Sequence, residues 1–299
     1  MSNAPQRWRP APWLRASAAW HVAALALTLY HLRWWPWTLA AVIADHLLLT
    51  AWGLTPRSRA LGSNWTRLPD GHVGGECGDA GSRSAGISAG GPVAITIDDG
   101  PDPQVTPRVL QILAEHGARA TFFCIGEQAA RFPVLLRQCV AAGHAVENHS
   151  YMHRPYFALL GPAHLRREIE RAQQIIRHAG GTPPRFFRAP AGLRSPWLDP
   201  VLQRLGLQLA SWTRRGFDTV NGDPERVLAR LTRNLRAGDI LLLHDGHAAR
   251  SRRGEAVILE VLPRLLDELA RRGLTAVTLP ERLPAVALPV PIRQHPRLP

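Results

Sequence analysis

The sequence predicts an α/β fold, a distorted (β/α)7-type barrel preceded by one or two apolar amino-terminal helices. From Pro92 onward short apolar runs alternate with amphipathic stretches. That alternation implies parallel strands joined by helical crossovers. Glycine follows each amphipathic stretch, at Gly117, Gly143, Gly180, Gly206, Gly238 and Gly273, where a left-handed residue ends a helix. The polar residues able to do chemistry fall at the ends of the apolar runs, the end of the strands where parallel barrels gather their sites.

The amino-terminal region, residues 1–56, is read as membrane-associated helices. Ser17 to Leu32 is largely apolar, with His21 and His31 as its ionisable side chains, and Trp37 to Leu54 is similar, with Asp45 and His46. Each run falls near or below the lower end of the ~17–25 residues that span a bilayer. Trp20, Tyr30, Trp34, Trp35, Trp37 and Trp52 lie near the run ends, as in an interfacial aromatic belt. Three arrangements are open for residues 17–54: a hairpin of two short spans, one helix crossing or lying in the interface, or two soluble helices packed on the following domain. Asp45 and His46 count against a second span, because ionisable groups are costly in lipid. Arg7, Arg9, Arg15, Arg57 and Arg59 flank the runs. With two spans the positive-inside rule puts the following domain in the cytoplasm; with one it can face outward. The expected location is a bacterial inner membrane.

Residues 57–91 are read as a linker, Gly- and Ser-rich from position 71 onward. Residues 92–280 are read as the candidate catalytic domain and residues 281–299 as a Pro-rich tail. The strand candidates, in order, are Val93–Asp98, Ala118–Ile125, His144–Asn148, Arg185–Arg188, Gln208–Thr213, Asp239–His244 and Thr275–Leu279. The helix candidates between them are Pro107–His116, Gln128–Ala142, Ala163–Ala179, Ser195–Leu205, Pro224–Ala237 and Glu255–Arg272.

The formal charge is +13 and every basic side chain is Arg. Compositional bias accounts for this, or attraction to an anionic membrane or glycan does. Nucleic acid is not expected as a partner: no recognition motif and no aromatic-interleaved basic run occurs. The three cysteines, Cys77, Cys124 and Cys139, have no CxxC spacing and make no disulfide framework. Oligomeric state is left open.

Three segments carry candidate chemistry. His149-Ser150-Tyr151-Met152-His153 puts two imidazoles on one face if it forms a helical turn, and such a pair can bind a metal ion. Chance spacing is the alternative. Asp98 and Asp99 in Thr96-Ile97-Asp98-Asp99-Gly100-Pro101 would repel each other if both were buried. A cation resolves this by taking one carboxylate as ligand and leaving the other free as a base; a plain Asp-rich turn is the other reading. The apolar run Ile240 to Leu243 delivers His244 to a barrel mouth, or to a core site satisfied by a carbonyl.

Taken in order, Thr-Ile-Asp-Asp-Gly-Pro, His-Ser-x-x-His, Arg-x-Pro and Leu-x-His-Asp resemble the motifs of the polysaccharide deacetylase family, also called the NodB-homology or carbohydrate esterase 4 fold. The resemblance runs from about Pro92 to Leu279. It implies Asp99, His149 and His153 as ligands of a divalent metal, usually zinc. It implies Asp98 as general base, His244 as general acid, Arg188 as the residue orienting the base, and Asp218 as the partner of His244. Leu242 would line the pocket for the acyl methyl. Pro190 and Ala191 would border the substrate, with the Ala191 N–H facing the developing oxyanion. Three positions depart from the family pattern: Ile97 stands where Phe is usual, Ala191 where an aromatic is usual, and Thr219 where Trp is usual. The last two residues shape the family's sugar groove.

The implied function is removal of an N-acetyl or similar small acyl group from an amino sugar of a glycan or glycolipid, lipid-linked or in the cell envelope. A non-catalytic glycan- or lipid-binding membrane protein that keeps the fold is the alternative, and a membrane-tethered scaffold a third. The complete set Asp98, Asp99, His149, His153 and His244 favours the enzyme.

Overall fold

The computed structural model describes residues 8–69 and 90–283. The Gly- and Ser-rich run from residue 70 to 89 and the tail from residue 284 lie outside the described residues.

Two helices precede the domain, α1 (Pro12–Tyr30) and α2 (Trp35–Gly53), joined by a 3-10 turn at Leu32–Trp34. Each starts with Pro in its first turn, where the missing N–H costs nothing. Polar pairs line the seam between them. Ser17 Oγ donates to Asp45 at 2.6 Å, Thr28 and Thr38 share a 2.6 Å bond, and the His21 and His46 rings meet at 3.3 Å. Asp45 and His46 thus face the neighbouring helix. Of the three arrangements left open, the spanning ones are not supported: among the described residues no helix is long and apolar enough to cross a membrane. The polar seam residues lower the apolarity of both helices.

The domain holds β1 (Gly91–Asp98), α3 (Thr106–Glu115), β2 (Thr121–Cys124), α4 (Gly126–Arg131), α5 (Pro133–Ala141), β3 (Ala145–Asn148), α6 (Pro162–Gly180), β4 (Phe186–Phe187), α7 (Leu198–Arg204), β5 (Gln208–Leu209), β6 (Arg214–Arg215), α8 (Pro224–Thr232), β7 (Ile240–His244), α9 (Ile258–Arg271) and β8 (Leu274–Val277). All pairings are parallel, in the order β5-β4-β3-β2-β1-β7-β6, with β8 beside the start of β1. Among the described residues the sheet is a curled half-barrel of eight strands, not seven. The run expected as one strand over Gln208–Thr213 ends at Leu209, and the chain re-enters the sheet as β6. The helix expected over Gln128–Ala142 is two helices, broken before Pro133, whose ring disfavours helical geometry at Phe132. The left-handed stop after α6 is Gly181 (φ 78°), one residue past the expected Gly180.

The stretch from residue 57 to 69 is not linker. Its apolar side chains Leu61 and Leu68 are buried, and its backbone occupies the gap between the sheet's two ends. Trp65 N–H donates to Leu209 O at 2.9 Å and Trp65 O accepts from Ser211 N–H at 2.8 Å. Three residues on, Leu68 N–H donates to Gly238 O at 2.8 Å, and the Arg67 guanidinium pairs with Asp239.

Strand parity positions the chemistry. Successive side chains on a strand face opposite ways. Ile95 and Ile97 of β1 and Leu241 and Leu243 of β7 pack with α3 and α9 in the outer core. Ala94, Ile240 and Leu242 face inward with Phe123, Phe186 and Trp212. The same alternation puts Asp98 and His244 on the inner face, and the two are direct partners across β1 and β7.

Candidate active site

The motif residues meet in one cleft of about 440 Å³ at the carboxyl ends of the strands, lined among others by Asp98, Asp99, His149, His153, Ala191, Leu242 and His244. A larger depression of about 840 Å³ between Trp8 and α7 contains Asp199 but no such constellation.

Two interlocked turns build the floor. A Cβ on Gly100 would lie 2.4 Å from the Asp245 carboxylate, and one on Gly246 would lie 2.5 Å from Asp99 O. Only glycine lets the Asp-Asp-Gly-Pro and His-Asp-Gly turns approach this closely. Asp245 is buried under them, accepts from Thr106 Oγ1, and burial pushes its carboxyl up to about 7.

Asp99 Oδ1, His149 Nε2 and His153 Nε2 converge. Each imidazole nitrogen is 3.3 Å from Asp99 Oδ1, and the three residues' donor atoms all lie within 4.8 Å of one another. His149 Nδ1 is 2.8 Å from Arg188 O. A carbonyl only accepts, so Nδ1 carries the proton and Nε2 presents its lone pair to the cluster. The two histidines do not share a helical turn as the spacing suggested. Ser150 (φ 63°) and His153 (φ 49°) are left-handed, and the chain coils around the Asn148 side chain, whose Oδ1 accepts from Ser150 N–H. Asp99 Oδ1 is buried and has no hydrogen-bond partner. An orphaned carboxylate oxygen beside two imidazole lone pairs fits a divalent cation. Burial works to raise Asp99, but the imidazoles around it, His149 and His247 first and then His244, outweigh it and hold the carboxyl well below its usual range. Burial, helped by the neighbouring His149, drops His153 to about 4, which leaves it neutral and able to ligate.

Asp98 is held differently. Its Oδ1 accepts from Arg188 Nη1 at 2.7 Å. Arg188 is fully buried, and its remaining donors go to Thr96 Oγ1, Ala210 O and Ser211 O at 2.7, 3.2 and 2.8 Å. Phe123 lies under the guanidinium at 4.1 Å. His244 Nδ1 is 2.9 Å from Asp218 Oδ1, and Asp218 Oδ2 accepts the His244 backbone N–H at 2.7 Å. Burial disfavours the imidazolium, but Asp218, followed by Asp98 and Asp99, outweighs it and raises His244 to about 8. Ala191 sits at the rim in a left-handed conformation (φ 54°), between the buried Pro190 and Gly192.

All ten residues singled out from the sequence therefore fall in or directly behind this cleft. The sequence reading missed His247, whose Nδ1 lies 3.3 Å from Asp99 Oδ2, and the wall residues Trp212 and Arg215. His247 stands three residues past His244 across an Asp-Gly turn, a spacing that could have drawn notice. No local pattern marks the other two.

A model of the family described as polysaccharide deacetylase matches residues 86–210. A chitooligosaccharide deacetylase from Azorhizobium caulinodans is 38% identical over 195 residues, covering 63% of this chain and 92% of that protein. A peptidoglycan-N-acetylglucosamine deacetylase from Bacillus cereus is 35% identical, covering 64% and 87%. Among solved structures, a family 4 carbohydrate esterase from Streptomyces lividans in complex with acetate is 37% identical, with a TM-score of 0.57 over 62% of this chain and 91% of that one.

Proposed function

Because the chain belongs to the polysaccharide deacetylase family, whose hydrolases act on N-acetyl amide bonds, we propose that it removes an acetyl or similar small acyl group from an amino sugar by a metal-assisted attack of water. The observation that carries this is the unequal treatment of two adjacent carboxylates. Arg188 occupies an oxygen of Asp98, while Asp99 Oδ1 is buried, unpartnered and turned to two histidines. One is equipped to stay an unligated base, the other to ligate.

Asp99, His149 and His153 would hold the cation, zinc by family resemblance. When bound, such an ion acidifies water and polarises an amide carbonyl. Asp98 takes the proton from the attacking water, its free oxygen kept in place by the Arg188 bond. The Ala191 N–H donates to the developing oxyanion, an effect worth about 2.7–4 kcal/mol for one well-placed donor. Leu242, only 1% exposed, bounds the space for the acyl methyl. His244, held by Asp218, gives its proton to the leaving nitrogen, which would otherwise depart as a very poor leaving group. The direct test is acetate release from N-acetylated chitooligosaccharides by zinc-loaded protein. No release from these or from other N-acyl amino sugars would leave the non-catalytic binding reading standing.

His244 must carry its proton to act as acid. Its group is raised to about 8, so it is mostly protonated at neutral pH and loses its proton as the pH rises through 8. The expected kcat/KM falls on an alkaline limb near pH 8, about tenfold per pH unit beyond it. Asp218→Asn removes the chief charge that raises the imidazole, so the limb should move to lower pH. An unmoved limb in that variant would take His244 out of the acid role.

We also propose that the α1–α2 hairpin rests on a lipid surface rather than crossing it. Val22, Leu25, Leu29, Leu32 and Trp37 are each more than 60% exposed, an apolar surface that soluble proteins seldom leave uncovered. The net positive charge suits an anionic bilayer. Co-sedimentation with phosphatidylglycerol vesicles is expected, and the triple variant Leu25→Ser, Leu29→Ser, Trp37→Ser should lose most of it. Equal binding by that variant would place the contact elsewhere on the protein.

A further inference from the structure

Arg214 and Arg215 are neighbours on β6 and face opposite ways, as strand geometry requires. Arg214 is consumed by structure: its Nε donates to Asp239 Oδ2 at 3.0 Å and its Nη2 to Asn234 O. Arg215 lines the catalytic cleft with Asp98, Leu242, His244 and Thr219. Two aromatic rings flank its guanidinium, with the ζ carbon 4.9 Å from the Phe217 ring centroid and 5.5 Å from that of Trp212. Its Nε is buried and has no hydrogen-bond partner. Among the described residues no carboxylate pairs with it, whereas all three nitrogens of the Arg188 guanidinium behind the same cleft donate hydrogen bonds.

A guanidinium that lines a cleft without a carboxylate partner keeps its charge for a ligand that enters there. Positions 191 and 219, which line the same cleft, carry the small residues Ala and Thr. A planar guanidinium packed beside aromatic rings can present paired donors that match an oxyanion in two-point contact.

We propose that Arg215 is a specificity residue that receives an anionic group, a phosphate or a carboxylate, carried by the acylated amino sugar or by the sugar bonded to it. This rests on the deacylase reading and narrows its substrate class to acidic amino-sugar compounds.

The test compares kcat/KM for acetate release by zinc-loaded full-length protein from three probes: N-acetylglucosamine 1-phosphate, N-acetylmuramic acid and the neutral methyl N-acetylglucosaminide. At least one anionic probe is expected to be preferred over the neutral one by about 10- to 100-fold, the range of a charge-assisted hydrogen bond. In Arg215→Gln that ratio should collapse toward one. Arg215→Lys, which keeps the charge and loses the fork, should give an intermediate ratio. Whichever anionic probe shows the collapse identifies phosphate or carboxylate as the group received. Wild-type ratios near one for both anions, or a ratio unchanged in Arg215→Gln, would overturn the assignment. If metal-loaded protein releases acetate from none of the probes, the deacylase reading fails on its own. Arg215 is then judged by calorimetric binding of the two anionic probes to wild type and Arg215→Gln, where equal affinity would overturn it and a loss of tenfold or more would support it.

Discussion

An Asp98→Asn protein is expected to keep its metal and to lose acetate release by about 10³-fold or more, at the upper part of the range for removing a general base. The geometry makes this substitution clean. Asp98 is 2% exposed, and its Oδ1 accepts from Arg188 Nη1 at 2.7 Å. An asparagine has the same shape and still offers Arg188 a carbonyl oxygen. What it lacks is the charge, and with it the ability to take a proton from water. Alanine would be a worse probe. It would leave a fully buried guanidinium with neither the carboxylate charge nor an acceptor at that position, and removing one partner of a buried ion pair outright costs about 3–5 kcal/mol. Loss of activity would then be indistinguishable from loss of fold. The paired measurements are zinc per protein by mass spectrometry and initial rates of acetate release, with the melting temperature as control. A variant with full zinc and near-normal rate would show that another group takes the proton, and the contrast drawn between Asp98 and Asp99 would lose its chemical meaning.

Much of this arrangement was legible in the residue order because strand parity is rigid. Once Val93–Asp98 and Asp239–His244 are read as strands, Asp98 and His244 must emerge at the same end, and inward-facing Leu242 fixes the parity for His244. Pairing between β1 and β7 then sets the two as partners. The local backbone was less legible. The His149 to His153 spacing suggests a helical turn, but the segment is an irregular turn with two left-handed residues. Irregular backbone has no hydrophobic period to read, although the two imidazoles meet all the same. Residues 57–69 look like linker because their apolar positions are few and unevenly spaced. They are ordered by backbone pairing to strand ends far away in sequence, Trp65 to Leu209 and Ser211 and Leu68 to Gly238, and backbone pairing leaves no signature in side chains. Trp212 and Arg215 escaped for a related reason: β6 contributes two residues, too few for any alternation to show which of them faces the cleft. The apolar runs at the amino terminus were visible as helices, but the pairing of Ser17 with Asp45 and Thr28 with Thr38 depends on the rotation of one helix against the other.

His149→Ala should separate the ion from the rest of the machinery. Wild type is expected to bind one zinc with an affinity at least about 100-fold above that of the variant. Disturbing an outer-shell partner alone typically costs 10- to 100-fold, and His149 supplies one of only three donor groups in the cluster. The variant also frees Arg188 O, which loses the Nδ1 proton 2.8 Å away. An unpaired buried carbonyl costs about 1–3 kcal/mol, so the metal-free variant should melt below metal-free wild type. The decisive quantity is therefore the shift on adding zinc rather than the absolute melting temperature. A ligand that binds only the folded state stabilises by about 2.7 kcal/mol at 100 times its dissociation constant. Wild type should show that gain and the variant almost none at the same zinc concentration. The two readouts do not depend on turnover, so they test the ion site even if the substrate remains unidentified. Equal zinc-induced stabilisation in both proteins would mean that His149 does not hold the ion. Asp99 Oδ1 would then need another explanation for being buried without a partner, and the division of labour between the two aspartates would have no foundation.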